Sequence, residues 1–210
     1  MLIDFFRKTY HRNVLEQLIK ENASLISGSI LDIGSKNRRY DYLFDGHVTA
    51  VDIIPNKNKK VIAGDIEKGL AFDNNYFDAI ICLEVFEYLD HYRVAIEEIH
   101  RVLRPGGKAI ISVPFMYPDH QDKKRFTEEH FTKKIKKLFI VKAFRIGNGY
   151  ILIWDIIRKK IKLIKYGSLR YLAFLIFLPY LLILRLFKIE RIRDNFYSGL
   201  FFILEKKKNK

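Results

Sequence analysis

A chain of 210 residues, 49% hydrophobic and 30% charged, is long enough to bury its own core and excludes intrinsic disorder and collagen-like repeats. Its one cysteine, Cys82, excludes an internal disulfide and any zinc site built on two or more cysteines, and suits a reducing compartment. The net charge of +14 is unevenly spread: residues 1–155 hold 24 Lys/Arg against 21 Asp/Glu, whereas residues 156–210 hold 14 against 3. The tail therefore carries most of the excess, which points it toward an anionic partner, nucleic acid or a membrane surface.

The opening residues lack a long apolar run ending in small residues, so no secretory signal is expected and a cytoplasmic location is. Val14, Leu15, Leu18 and Ile19 recur at helical spacing and predict a helix over 8–22. Short apolar runs follow at 29–34, 47–53, 60–63 and 77–83, each reading as a buried strand. A helical period returns over 91–103, stops at Arg104-Pro-Gly-Gly107, and gives way to a strand over 108–113. Residues 127–138 predict another helix, 139–144 a strand, and 197–206 a final strand. Strands alternating with helices, with apolar rather than alternating strand patterns, indicate a mostly parallel sheet with helices on both faces. The whole of 1–210 reads as one domain. Residues 1–25 form an N-terminal helical cap, and 150–190 an apolar, basic insertion before the last strand.

In such a sheet, ligands bind beyond the carboxyl ends of the strands. The first strand ends in Asp32-Ile-Gly34, where glycine admits close backbone approach and the next helix would offer free N–H groups. Asp52 ends the second strand, where a carboxylate can accept from both hydroxyls of a ribose. Asp65 follows the third and could accept from an adenine amino group. Gly34-Ser-Lys-Asn-Arg-Arg39 lacks the three glycines of a dinucleotide loop, and no phosphate-cradling G-x-x-x-x-G-K-[ST] occurs, so a nucleoside cofactor without phosphates fits better.

The runs ILDIGSKNRRY, VTAVDIIP, GDIEKGLAFDNNYFDAIICLEVFEYL and IEEIHRVLRPGGKAIISVPF resemble a class I S-adenosylmethionine-dependent methyltransferase, and within that class the type 11 methyltransferase-domain group. The likeness covers about residues 28–115. It implies a Rossmann-like seven-stranded sheet in the order 3-2-1-4-5-7-6 with an antiparallel last strand, S-adenosyl-L-methionine as cofactor, and no metal. On matching positions it implies that Asp32, Gly34 and Ser35 shape the methionine end and that Asp52 binds the ribose. Ile53 would pack beside the adenine, Asp65 and Ile66 would address its edge, and Leu83 and Glu84 would open onto the sulfonium. Glu84 and Glu87 read as supports of the site, and Cys82 as a buried strand residue. Two departures stand out: Ser35-Lys36 replaces the usual Cys-Gly, and Tyr88 replaces a histidine. The lost glycine keeps a non-catalytic scaffold open as an alternative.

Methyl transfer asks for alignment of the acceptor and, for a hydroxyl, removal of one proton. His120 is the candidate base, because its ordinary pKa lies near neutrality, and Arg125 the candidate group for an anionic acceptor. An exposed loop histidine and a helix-entry charge are the plain structural readings of the two. The expected reaction is methylation of a small or lipid-linked acceptor, such as a glycan or quinone-type hydroxyl. An RNA substrate is the alternative, weakened because no Asn/Asp-Pro-Pro-aromatic motif follows the fourth strand. Tyr171–Leu184 is an uncharged run flanked by Lys159, Lys160, Lys162, Lys165, Arg185, Lys188, Arg191 and Arg193. That pattern fits contact with an anionic membrane surface through 156–193, as a peripheral protein of the inner face, or an extra helix covering the substrate site. A run of this length is shorter than the ~20 apolar residues of a spanning helix. The sequence leaves the oligomeric state open.

Overall fold

A computed structural model of the chain describes residues 8–189, 192 and 195–208. The first seven residues of the expected cap, and Arg191 and Arg193 of the basic flank, lie outside them. Seven strands form one mixed sheet: β1 (Ser27–Ile33), β2 (Asp45–Asp52), β3 (Val61–Ala63), β4 (Phe77–Leu83), β5 (Leu103–Pro114), β6 (Phe139–Ile146) and β7 (Gly199–Lys206). Their order is β3-β2-β1-β4-β5-β7-β6, and β1 through β5 pair in parallel. Among the described residues five α-helices accompany them: α1 (Tyr10–Glu21), α2 (Tyr92–Val102), α3 (Glu128–Ile135), α4 (Gly149–Lys162) and α5 (Gly167–Leu186).

The central strands are buried because their apolar runs are covered on both faces: Ile30, Leu31, Ile80, Ile81, Ile110 and Ile111 have almost no exposure. β7 runs opposite to β5. Its penultimate residue Glu205 meets Lys108 at 2.8 Å, and Lys206 Nζ donates to the carbonyls of His100 and Leu103 at 2.5 and 2.7 Å. Lys206 is a buried cation at the end of a strand, satisfied by those carbonyls and by Asn75 Oδ1.

The helix expected after Gly34 is absent. Residues between β1 and β2 form turns and a single helical turn, Asp41–Leu43. Arg38 sits there at φ 49°, its guanidinium donating to Asp41, to the carbonyls of Lys59 and Lys60, and to Val48. Those bonds bind this connection to the β2–β3 segment and take the place of helical ones. A second difference lies at Arg104-Pro-Gly-Gly107, which continues β5 rather than preceding it. The register shifts by a bulge opposite Phe77–Ala79, and a Cβ at Gly107 would stand 2.8 Å from the carbonyl oxygens of Arg104 and Asp78.

The chain divides into two compact units, Leu18–Phe144 with Leu200–Lys210, and Met1–Gln17 with Arg145–Gly199. The first holds most of the sheet with α2 and α3. The second is built on α4 and α5, packed as a hairpin: Trp154 meets Phe174, and the Tyr180 hydroxyl donates to the Tyr150 carbonyl at 2.8 Å. Within it Asp155 accepts from the backbone amides of Tyr10 and His11 at 2.7 and 3.0 Å, capping the start of α1. The apolar run read as fourteen residues belongs to a 20-residue helix containing Pro179. Its window Gly167–Leu184, with mean hydropathy 1.8, is long and apolar enough to cross a membrane by length and composition, and 11% of it is buried. The sequence count stopped at Arg170, but the helix tolerates that one charge and starts a turn earlier.

Candidate functional site

Ile33 pairs with Val51 of β2 and with Cys82 of β4. One step further along the register, Gly34, Asp52 and Leu83 therefore sit side by side at the carboxyl ends of three adjacent strands. Asp65 follows β3 on the same edge, two residues past the Asp52–Ala63 pair. The sheet thus brings together the residues that the sequence singles out at its strand ends.

Asp52 Oδ1 accepts from the Ile54 amide at 2.9 Å, and its other oxygen has no protein partner among the described residues. Ile53 beside it is 73% exposed, an apolar side chain held in the open at the ligand edge. Ile66 is buried. Asp65 is occupied locally: its oxygens take the Glu67 amide and the Lys68 ammonium, both at 3.0 Å, and Lys68 holds its carboxyl below the ordinary range.

Gly34 is enforced by packing as well as by any ligand. It adopts φ 76°, and a Cβ there would lie 2.4 Å from Val85 Cγ2. Its amide and that of Ser35 both donate to the Val51 carbonyl, at 2.8 and 3.2 Å, so the free N–H groups expected of a helix start are not provided here. Asp32 is buried beneath this turn. Burial pushes its carboxyl up to about 7 against the stabilising hydroxyl of Ser35.

At the end of β4, Glu84 adopts φ 56° and its Oε1 accepts from the Ser112 hydroxyl at 2.8 Å. Glu87 is fully buried, and neither carboxyl oxygen has a hydrogen-bond partner among the described residues. Burial first, then the neighbouring Glu84 charge, pushes its carboxyl up to about 8. His120 stands over it with Nε2 3.8 Å from Glu87 Oε1. The ring is flanked edge-on by Tyr88 and Tyr117, at 5.5 and 5.6 Å between centroids. Its Nδ1 lies 3.0 Å from the Pro118 carbonyl and 3.3 Å from Asp122. Both are acceptors, so in the neutral ring Nδ1 carries the proton and Nε2 the lone pair. Instead of hanging in an exposed loop, this histidine is seated among a carboxyl and two aromatic rings.

Arg125 is committed to its own loop. It pairs with Asp122 through Nε and through Nη2 at 2.7 Å, and donates to the carbonyls of Phe115 and Pro118 at 2.8 and 3.3 Å. Against the cost of burial, this guanidinium holds Asp122 below the ordinary carboxylate range. The structure therefore gives Arg125 the work of shaping the segment that carries His120. The amides of Lys123 and Lys124 donate to the Glu87 carbonyl at 2.8 and 3.1 Å and fasten that segment to the end of β4. Asp122 and Ser112 were not singled out by sequence. Asp122 was legible as the carboxylate three residues before Arg125, whereas Ser112 was legible only as part of the SVP run that ends the resemblance, without a role. Cys82 is a core residue, its thiol pushed well up by burial.

A family model described as a methyltransferase domain matches residues 31–111, the segment holding Asp32, Gly34, Asp52, Asp65, Glu84 and Glu87. Over that segment the chain matches a methyltransferase domain, and its strand order is that of the class I methyltransferase fold. The chain is similar to a sterol 4-C-methyltransferase of Caenorhabditis elegans, 28% identical over 126 residues, half of this chain and 35% of the relative. It is also similar to a ubiquinone biosynthesis O-methyltransferase of Xylella fastidiosa, 26% identical over 110 residues, 45% of each. The chain thus spans less than half the length of these curated relatives. In fold it resembles a Haemonchus contortus phosphoethanolamine N-methyltransferase solved with S-adenosyl-L-methionine (TM-score 0.60, 19% identity, 93% of this chain and 53% of that one). A methyltransferase from Archaeoglobus fulgidus matches it end to end, with TM-score 0.60, 16% identity and 97% of both chains covered. S-adenosyl-L-methionine is the cofactor of this domain family, and the strand-end residues fit it: a carboxylate oxygen left open at Asp52, an exposed apolar side chain at Ile53, and a glycine turn beside both.

Proposed function

We propose that this chain transfers a methyl group from S-adenosyl-L-methionine to a hydroxyl of a small or lipid-linked acceptor. The observation that carries the reading is the alignment of Gly34, Asp52 and Leu83 across three parallel strands, with the His120–Glu87 pair on the loop beside them. When bound, the cofactor supplies a methyl group on a positively charged sulfur. Asp52 accepts from the ribose hydroxyls through its open oxygen, and Ile53 gives the adenine an apolar neighbour. His120 takes the acceptor's hydroxyl proton at Nε2, while Pro118 and Asp122 hold its Nδ1–H in place. Above about pH 8 Glu87, buried behind the ring, is a carboxylate and favours the imidazolium that results. The sterol and ubiquinone relatives support a lipid-like acceptor, since their names describe such substrates.

Calorimetric titration with S-adenosyl-L-methionine and with S-adenosylhomocysteine tests the cofactor. Absence of heat with either at millimolar concentration overturns the reading. Labelled methyl transfer into lipid and glycan extracts, read by mass spectrometry, then identifies the acceptor. The engaged amides of Gly34 and Ser35 favour one second reading, a scaffold with a closed cofactor loop, and absence of both cofactor binding and turnover would support it.

A further inference from the structure

We propose that the α4–α5 hairpin lies in the plane of an anionic lipid surface, with the outer face of α5 sunk into the acyl boundary and the hairpin's basic residues at headgroup level. Three observations lead there. First, one side of α5 is apolar and bare. Leu172, Ile176 and Ile183, with Leu175 and Leu182 beside them, recur at helical spacing with roughly half or more of their surface exposed, Ile176 at 65%. The opposite side carries Phe174, Tyr180, Leu181 and Leu184, and packs against α4 or is turned inward. Bare apolar area of this extent on a soluble protein marks a contact surface.

Second, the charge around that face has one sign. Residues 156–189 contain eight Lys/Arg and no Asp/Glu. Lys159, Lys160, Lys162 and Lys165 gather at the turn of the hairpin, Arg170 follows in the first turn of α5, and Lys188 stands past its end. Partial burial, then repulsion from Arg158 and Arg170, lowers the Lys162 ammonium. An anionic surface relieves that crowding. A second copy of this chain docked through the same face would bring two such clusters together and aggravate it.

Third, the hairpin's own build selects lying on the membrane over crossing it. A helix of 20 residues is about 30 Å long, enough to span. Its packing partner α4, however, carries the buried charges Asp155 and Arg158 near its middle. Drawing α4 across with α5 would take these two into hydrocarbon. With α5 in the interface, its apolar face is buried and the lysines extend to the headgroups.

Neither the acceptor nor the cofactor enters this placement. The test is co-sedimentation of the full chain with phosphatidylcholine vesicles, with and without phosphatidylglycerol, neither cofactor nor acceptor being added. The intact chain is expected to sediment with the anionic vesicles at low salt, and to be partly released by high salt. Leu172→Glu/Ile176→Glu should abolish sedimentation. Lys160→Gln/Lys165→Gln, which leaves the apolar face intact, should weaken it by about fivefold per lysine. Thermal midpoints of both variants report whether they fold, and the lysine pair keeps the test decisive if the glutamate pair does not. An intact chain left in the supernatant with both vesicle types overturns the proposal. So does equal sedimentation of intact chain and lysine variant, or a lipid-free dimer that the glutamate pair dissociates and that ignores vesicles. Any of these outcomes leaves the methyl-transfer reading standing.

Discussion

The Nε2 of His120 lies 3.8 Å from Oε1 of Glu87, a carboxyl with no exposure and no hydrogen-bond partner among the described residues. The gap is too long for a hydrogen bond and short enough for the two protonation states to feel each other. Around it, Tyr88, Tyr117 and the Asp122–Arg125 pair hold the ring in one place. His120→Gln should keep the loop and cofactor affinity while lowering turnover by about a hundredfold or more, the scale of a lost general base. Cofactor titration and single-turnover methyl transfer on the same preparation check this; unchanged turnover would remove His120 from the chemistry.

Glu87 and Asp32 both have folded-state pKa values raised, to about 8 and about 7, chiefly by burial. A carboxyl raised on folding keeps its proton in the native state while the unfolded chain has lost it. Their contribution is therefore neutral below the unfolded values near pH 4 and increasingly unfavourable as pH rises toward the folded ones. Glu87→Gln should consequently gain on the parent chain between about pH 5 and pH 8, by about 1–3 kcal/mol, the scale of an unsatisfied buried polar group. Thermal or urea unfolding of both proteins across that range measures the difference; a constant offset would show that Glu87 does not titrate there.

Asp52→Ala should weaken binding of S-adenosyl-L-methionine by about 1.5–3 kcal/mol, the scale of hydrogen bonds to a charged group. The fold should survive, since the side chain's protein partner is only the Ile54 amide in a surface turn. Isothermal titration decides it, and unaltered affinity would place the ribose elsewhere.

Gly34→Ala meets Val85 Cγ2 at 2.4 Å and a positive φ together. The left-handed conformation alone costs about 1–2 kcal/mol, and the clash adds to it. Val85→Ala in the same chain should recover the steric part and leave the conformational part. A double-mutant cycle in unfolding free energy reads the coupling; strict additivity would mean that the two side chains do not meet.

Much of the fold was legible along the chain. Short apolar runs ending in Gly34, Asp52, Ala63 and Leu83 mark strands that the sheet covers on both faces, and the acidic residues at their ends are readable because polar groups there must face a ligand or water. Local sequence also located the apolar helix of the tail and its lysines, since composition is a property of neighbours. What depends on groups distant in sequence was not legible. The missing helix after Gly34 follows from Arg38 bonding to the β2–β3 segment. The burial of Glu87 comes from residues 115–125 folding back over β4, and the engagement of Arg125 from carbonyls presented by that same loop. Exposure of one face of α5 is likewise decided by where α4 packs. Periodicity along a chain sets which residues can face a core, but burial, pairing and pKa depend on groups brought near from elsewhere, and only the tertiary structure brings them.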